Sequence, residues 1–143
     1  MTIICCDGET VAADSASNIE DQRYRAVTPK IIRKGGTLFG FFGTDSGKQS
    51  LMQWYLSGAD PAELPQSLPA GWNMAVFHKR HAVCYNKEVL RGDDYAYPVA
   101  FGSGEKFATG AMSAGADAIT ACKIACKHST TCGPPIISKK LIP

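Results

Sequence analysis

Thr2 follows Met1, and a small second residue normally permits removal of the methionine, leaving a threonine with a free α-amine. Its hydroxyl is a weak nucleophile until a base takes the proton. An α-amine, with an ordinary pKa of about 7.7 to 8.0, can do so near neutral pH. Such a residue can attack a carbonyl and form an acyl-enzyme. Threonine is common at this position, so its surroundings decide whether the chemistry applies. Two other groups of residues offer competing chemistry. Gly43 to Lys48, read as GTDSGK, has the glycines and lysine of a phosphate-binding loop. Its spacing is one residue short of G-x-x-x-x-G-K-[ST], and Gln49 stands where the magnesium-binding hydroxyl belongs, which argues against nucleotide binding. Cys122, Cys126, His128 and Cys132 are soft metal ligands, and a zinc site among them is conceivable. Cys122 and Cys126 sit one helical turn apart in an Ala-rich segment, where cysteine packs as a small hydrophobe; the expectation is core, with no metal.

The elements that must position Thr2 follow from pattern. Residues 2–6 are apolar and β-branched, Asp7-Gly8 is a strong hairpin signal, and residues 10–14 are expected to return antiparallel. Residues 15–25 are polar and without period, which predicts a loop; residues 26–33 predict a strand. Lys34-Gly35-Gly36 turns the chain into a buried strand over 37–42. A helix is expected over 46–56, capped within Gly43-Thr44-Asp45, with Leu51, Trp54 and Tyr55 on one apolar face. Residues 58–71 read as a surface connection. A second hairpin, residues 73–78 and 82–85, turns at Lys79-Arg80, and residues 98–101 make a further strand. Helical patterns over 105–114 and 116–127 meet at Gly115, Gly133-Pro134-Pro135 stops the second, and residues 136–142 suggest a last strand. Strands, a helix, strands, two helices and a strand predict an α+β layered domain.

A length of 143 residues suits one domain, residues 1–143, able to bury a core without staples. Fifteen Lys and Arg against 13 Asp and Glu leave a net charge of +2 without a basic stripe, which argues against nucleic acid as a partner. No apolar run suits a membrane span, and the first residues lack the basic start and apolar core of a signal peptide, so a cytoplasmic protein with reduced thiols at its six cysteines is expected.

The opening T-I-I-C-C-D-G-E-T-V-A-A-D resembles the initial hairpin of the proteasome β-subunit type of N-terminal nucleophile hydrolases, in which the nucleophile begins one strand and an aspartate ends the next. Asp14 occupies that position. Pro29-Lys30-Ile31 looks like the family's catalytic lysine segment, and Gly40 to Thr44, G-F-F-G-T, resembles the turn that supplies an oxyanion-binding amide. Phe101-Gly102-Ser103-Gly104 matches the family's G-S-G before a helix. Cys132-Gly133-Pro134-Pro135-Ile136 is similar to the ending of the short phage and prophage-type members related to the bacterial two-ring peptidase. These matches run in the family's order from residue 2 to about residue 136.

The resemblance implies a four-layer αββα sandwich and hydrolysis of peptide bonds by Thr2, with Asp14, Lys30, Gly43, Ser103 and Ser129 completing the site. Lys30 near the amine would lower its pKa, and Asp14 would orient and neutralise the lysine. The Gly43 amide would face the oxyanion, helped by the following helix N-terminus. A peptide or protein substrate and a homo-oligomer, dimer or ring, are implied; no cofactor is, and an unfoldase partner is left open. Where the family places an aspartate in a D-x-x-[SC]-G pattern, this chain reads Ser129-Thr130-Thr131-Cys132-Gly133. A hydroxyl can hydrogen-bond the amine but cannot offset a second positive charge, which suggests weak activity or, alternatively, an inactive scaffold or assembly subunit. His128 adjoins this position and reads as a helix-end histidine on the surface. The chain is also shorter than the two-ring relative, mostly after Gly43.

Overall fold

The computed structural model describes residues 2–19, 22–25, 29–43, 47–88 and 90–143. Strands β1 (Ile3–Cys6) and β2 (Thr10–Ala13) pair antiparallel across Asp7-Gly8. Asp7 builds the turn: its Oδ1 accepts from the amides of Glu9 at 2.8 Å and Thr10 at 2.9 Å, while Gly8 takes φ +103°. Side chains alternate across a strand, so Ile4, Cys6, Val11 and Ala13 face one side and Ile3, Cys5 and Ala12 the other, all buried. A hairpin buried on both faces must lie between two layers.

Strand β10 (Val99–Gly102) adds to the free edge of β1, and β11 (Ile137–Lys140) to that of β2. The second sheet runs in chain order, β5 (Ile31–Lys34), β6 (Thr37–Gly43), β7 (Trp72–Phe77), β8 (His81–Asn86) and β9 (Leu90–Ala96), every neighbour antiparallel. The inner face of the β1-β2 hairpin packs on Ile31, Leu38, Ala75, Phe77, Ala82 and Cys84 of that sheet. Close approach depends on Gly40, where a Cβ would lie 2.9 Å from a Phe77 ring carbon and 3.2 Å from Ile4 Cδ1. Outside the first sheet lie α2 (Glu105–Ser113) and α3 (Ala118–His128), presenting Ala108, Met112, Ala118, Ala121, Cys122 and Ala125 to Ile3, Cys5 and Ala12. Outside the second lies α1 (Lys48–Leu56), whose Leu51, Met52 and Trp54 cover Phe39, Phe41, Met74 and Val76. The layers are helix, sheet, sheet, helix, the α+β sandwich that the resemblance implies.

Three local expectations are corrected. Residues 15–25 are not wholly loop, because β3 (Ala16–Ile19) and β4 (Gln22–Arg25) pair antiparallel; main-chain pairing needs no apolar alternation, so a polar ribbon leaves no period to read. Strand β9 went unread for the same reason, as an edge strand with mostly exposed residues around Arg91-Gly92-Asp93-Asp94. The first helix begins at Lys48 behind Gly47 at φ +85°, with no side-chain cap. Residues 26–28 of the expected strand and 44–46 of the expected cap lie outside the described residues.

Candidate active site

Thr2 directly precedes β1 and is buried, 6% exposed. Its main chain is held from the next strand. Ile3 pairs with Gly102, and a Cβ on Gly102 would lie 2.1 Å from the Thr2 carbonyl oxygen, on a residue at φ +107°. Glycine is therefore required there by space and by conformation. Ser103 Oγ donates to the same carbonyl at 3.4 Å. Gly102→Ala is expected to lower unfolding free energy by at least about 2 kcal/mol, since strain adds to a main-chain clash, and to displace Thr2; a urea midpoint checks it.

Asp14 directly follows β2, opposite Ile3, the residue after Thr2. Its amide donates to the Ile3 carbonyl at 3.2 Å, and its Oδ1 accepts from the Ile3 amide at 3.1 Å. The side chain is fully buried, and its two oxygens take four donors. Besides Ile3, these are Lys30 Nζ on Oδ1 at 2.8 Å, and the amides of Ala16 at 3.2 Å and Gly133 at 3.0 Å on Oδ2. A carboxylate has about four lone-pair sites, so the satisfaction is complete. Lys30, also buried, donates in addition to the Ala16 carbonyl at 2.5 Å. The Lys30 carbonyl accepts from the Phe41 amide at 2.8 Å, so its main chain belongs to the second sheet while its ammonium reaches into the first. A buried ion pair survives only where such extra hydrogen bonds offset desolvation.

Gly43 closes β6, two residues beyond Phe41, at φ +86°; a Cβ there would meet the Gly71 carbonyl oxygen at 2.3 Å and Asn73 Nδ2 at 2.8 Å. Glycine is thus needed for the close approach of β7 as well as for any role of its amide. Gly43 is exposed.

The segment after α3 folds back over this end of the first sheet. Ser15 donates its amide to the Gly133 carbonyl at 2.9 Å and its Oγ to the Pro135 carbonyl at 2.6 Å. Ser129, the C-cap of α3, bonds Thr131 Oγ1 at 3.0 Å, and Thr131 Oγ1 bonds Ser103 Oγ at 2.9 Å. Ser129, Thr131 and Ser103 therefore form a hydroxyl chain that ends on the Thr2 carbonyl. Thr131 was missed in the sequence, although a Ser-Thr-Thr run just past a helix end is a signal for such bonding. The Cys132 thiol is lowered to about 6, chiefly by the hydrogen bond from Cys126, with Ser129 and Ser103 assisting against burial and Asp14. Cys126, the partner of that bond, is pushed up correspondingly. His128 stacks on the exposed Phe107 ring at 5.6 Å between centroids, apart from this chain.

Thr2, Asp14, Lys30, Ser103 and Ser129 are thus connected through hydrogen bonds of main chain and side chain, and Gly43 lies on β6, two residues beyond the Phe41 whose amide bonds the Lys30 carbonyl. Met1 lies outside the described residues. Together these atoms put a neutralised lysine and a hydroxyl chain around the main chain of a buried threonine.

No protein-family model matches this chain, and no curated protein matches it. Solved structures do. BPH from Thiobacillus denitrificans, solved in complex with epoxomicin, superposes with a TM-score of 0.73 at 19% identity over 100% of both chains. Eukaryotic HslV from Trypanosoma brucei gives 0.67 at 18% identity over 97% of both chains. Anbu from Hyphomicrobium sp. strain MC1 gives 0.57 at 13% identity, covering 97% of this chain and 80% of that one. The fold is that of the proteasome-like N-terminal nucleophile hydrolases.

Proposed function

We propose that this chain is an N-terminal threonine amidohydrolase, a peptidase acting through an acyl-enzyme on Thr2 once Met1 is removed. The observation that carries the reading is the buried Lys30–Asp14 pair, tied by Asp14 to both main-chain groups of Ile3, next to Thr2. A fixed cation near an α-amine favours its neutral form, so the amine can act as a base at neutral pH. Thr2 Oγ attacks the substrate carbonyl while the Thr2 amine takes its proton and passes it to the leaving amine. The Gly43 amide stabilises the tetrahedral oxyanion, and water then hydrolyses the ester. Asp14 orients Lys30, and Ser103, backed by Ser129, fixes the Thr2 main chain. The substrate is a peptide or protein segment. The chain works as a homo-oligomer, as the resemblance implies, and its Cys132 to Ile136 ending supports closeness to the short phage and prophage-type members. Among the described residues no helix is long and apolar enough to cross a membrane.

The test is the mass of the N-terminal peptide after exposure to epoxomicin, the compound held by BPH. Protein lacking Met1 is expected to carry the adduct on Thr2, and aminopeptidase treatment of any unprocessed fraction is expected to raise labelling in proportion. Complete labelling with Met1 still attached would rule out the α-amine as the base. The second reading, an inactive scaffold, rests on Ser129 in place of a carboxylate; processed protein that neither labels nor hydrolyses peptides would establish it.

Ser129→Asp tests the part that position 129 plays in the proton balance of the active reading. A carboxylate stabilises the ammonium form of the amine, so the amine's pKa rises and its basic fraction at a given pH falls. The acid limb of the pH–rate profile is expected to move upward by up to about one unit. A profile that does not move would place Ser129 outside the proton balance.

A further inference from the structure

We propose that Cys126, Cys132 and Asp14 form a binding site for a thiophilic divalent cation of the zinc class. The Sγ atoms of the two cysteines and a carboxylate oxygen of Asp14 all lie within 4.8 Å of one another. They come from three places in the fold: the residue just after β2, the last turn of α3, and the segment that follows that helix. Ligand atoms around a tetrahedral zinc ion, with bonds of about 2.3 Å to sulfur and 2.0 to 2.2 Å to oxygen, stand about 3.5 to 3.8 Å apart. Closing the cluster on an ion thus needs movements of about an ångström, within reach of thiol rotamers. Two sulfurs select zinc-like ions over magnesium or calcium, and solvent or a hydroxyl can complete the shell. Ser129 Oγ, 3.6 Å from Cys132 Sγ, stands on that side.

The entrance is Cys126, which is half-buried, whereas Cys132 and Asp14 are fully buried beneath it. His128, suggested as a ligand by sequence spacing, is stacked on Phe107 and takes no part. Neighbouring Cys5 and Cys122 have their sulfurs 3.0 Å apart, but both are fully buried and Cys5 donates to the Ala118 carbonyl. Binding releases the proton of each thiol that still holds one, with no change of oxidation state. An Asp14 oxygen turned to the ion gives up donors that it now holds, and the ion's charge repels the Lys30 ammonium. Occupancy therefore inhibits the activity proposed above; the binding claim itself does not depend on that activity.

The experiment titrates Co2+ into the full, reduced, metal-free chain and follows the thiolate-to-cobalt charge-transfer absorption, then displaces the cobalt with Zn2+. One equivalent is expected. Cys126→Ser and Cys132→Ser are each expected to weaken binding ~10-fold or more, and Cys84→Ser, in the core between the sheets, to leave it unchanged. Should Cys132→Ser fail to fold by circular dichroism, Cys126→Ser at the half-buried position carries the test. No charge-transfer band with wild type in excess Co2+ would overturn the proposal. So would a band that survives in Cys126→Ser or that vanishes only in Cys5→Ser.

Discussion

Thr2→Ala is expected to abolish adduct formation and reduce peptide hydrolysis by several orders of magnitude, because it removes the atom that forms the acyl bond. Thr2→Ser, which keeps hydroxyl and amine, is expected to retain a measurable rate. Stability should change little. The contacts that fix Thr2 are made by its carbonyl, with Ser103 and across from Gly102, and alanine preserves them. A loss within about 1 kcal/mol is expected for a small buried side chain cut by so few atoms. Fluorogenic peptide assays on contaminant-free preparations and thermal melts check both parts. Equal hydrolysis by wild type and Thr2→Ala would remove Thr2 from the chemistry.

Asp14→Ala should bring the largest loss of stability, about 3 to 5 kcal/mol, since it strips a buried lysine of its counter-charge and leaves the amides of Ile3, Ala16 and Gly133 without their acceptor. Replacing Lys30 by methionine in the same chain removes the stranded charge, so Asp14→Ala/Lys30→Met is expected to regain part of that loss. It should not regain activity. Lys30→Ala alone is expected to cut turnover ~10²-fold or more, because the amine then protonates at neutral pH. Urea midpoints and turnover of the two single variants and the double variant distinguish the roles. Normal turnover in Lys30→Ala would leave the pair with a structural part only.

What was legible in the sequence follows from which interactions side chains announce. The β1-β2 hairpin was readable because Asp7 and Gly8 are the turn and because apolar residues on both faces demand two covering layers. Asp14 and Lys30 were readable by resemblance, as polar residues in fixed order along the chain. Their surroundings were not. Two of the four donors on Asp14, the amides of Ala16 and Gly133, carry no residue signature, and Gly133 is brought in by tertiary folding alone. Gly102 stood inside a recognised G-S-G, yet its reason is steric and visible only once the Thr2 carbonyl is placed against it. The zinc ligands suggested by spacing included His128, which the fold sends outward, and omitted Asp14, which lies far away in sequence and adjacent in space.

The bond from the Gly133 amide to Asp14 joins positions 119 residues apart, and the bond from Ser15 to Pro135 spans 120. Chains are synthesised from the N-terminus at roughly 5 to 20 residues per second, so Gly133 is added about 6 to 24 s after Asp14. Throughout that interval the first strand and its threonine already exist, but the carboxylate beside them lacks a donor and the hydroxyls of Ser129 and Thr131 have not been made. The surroundings of Thr2 are therefore completed only once residues 129 to 135 have been added, so the proposed site is assembled in the order of synthesis, its first strand early and its last donors late.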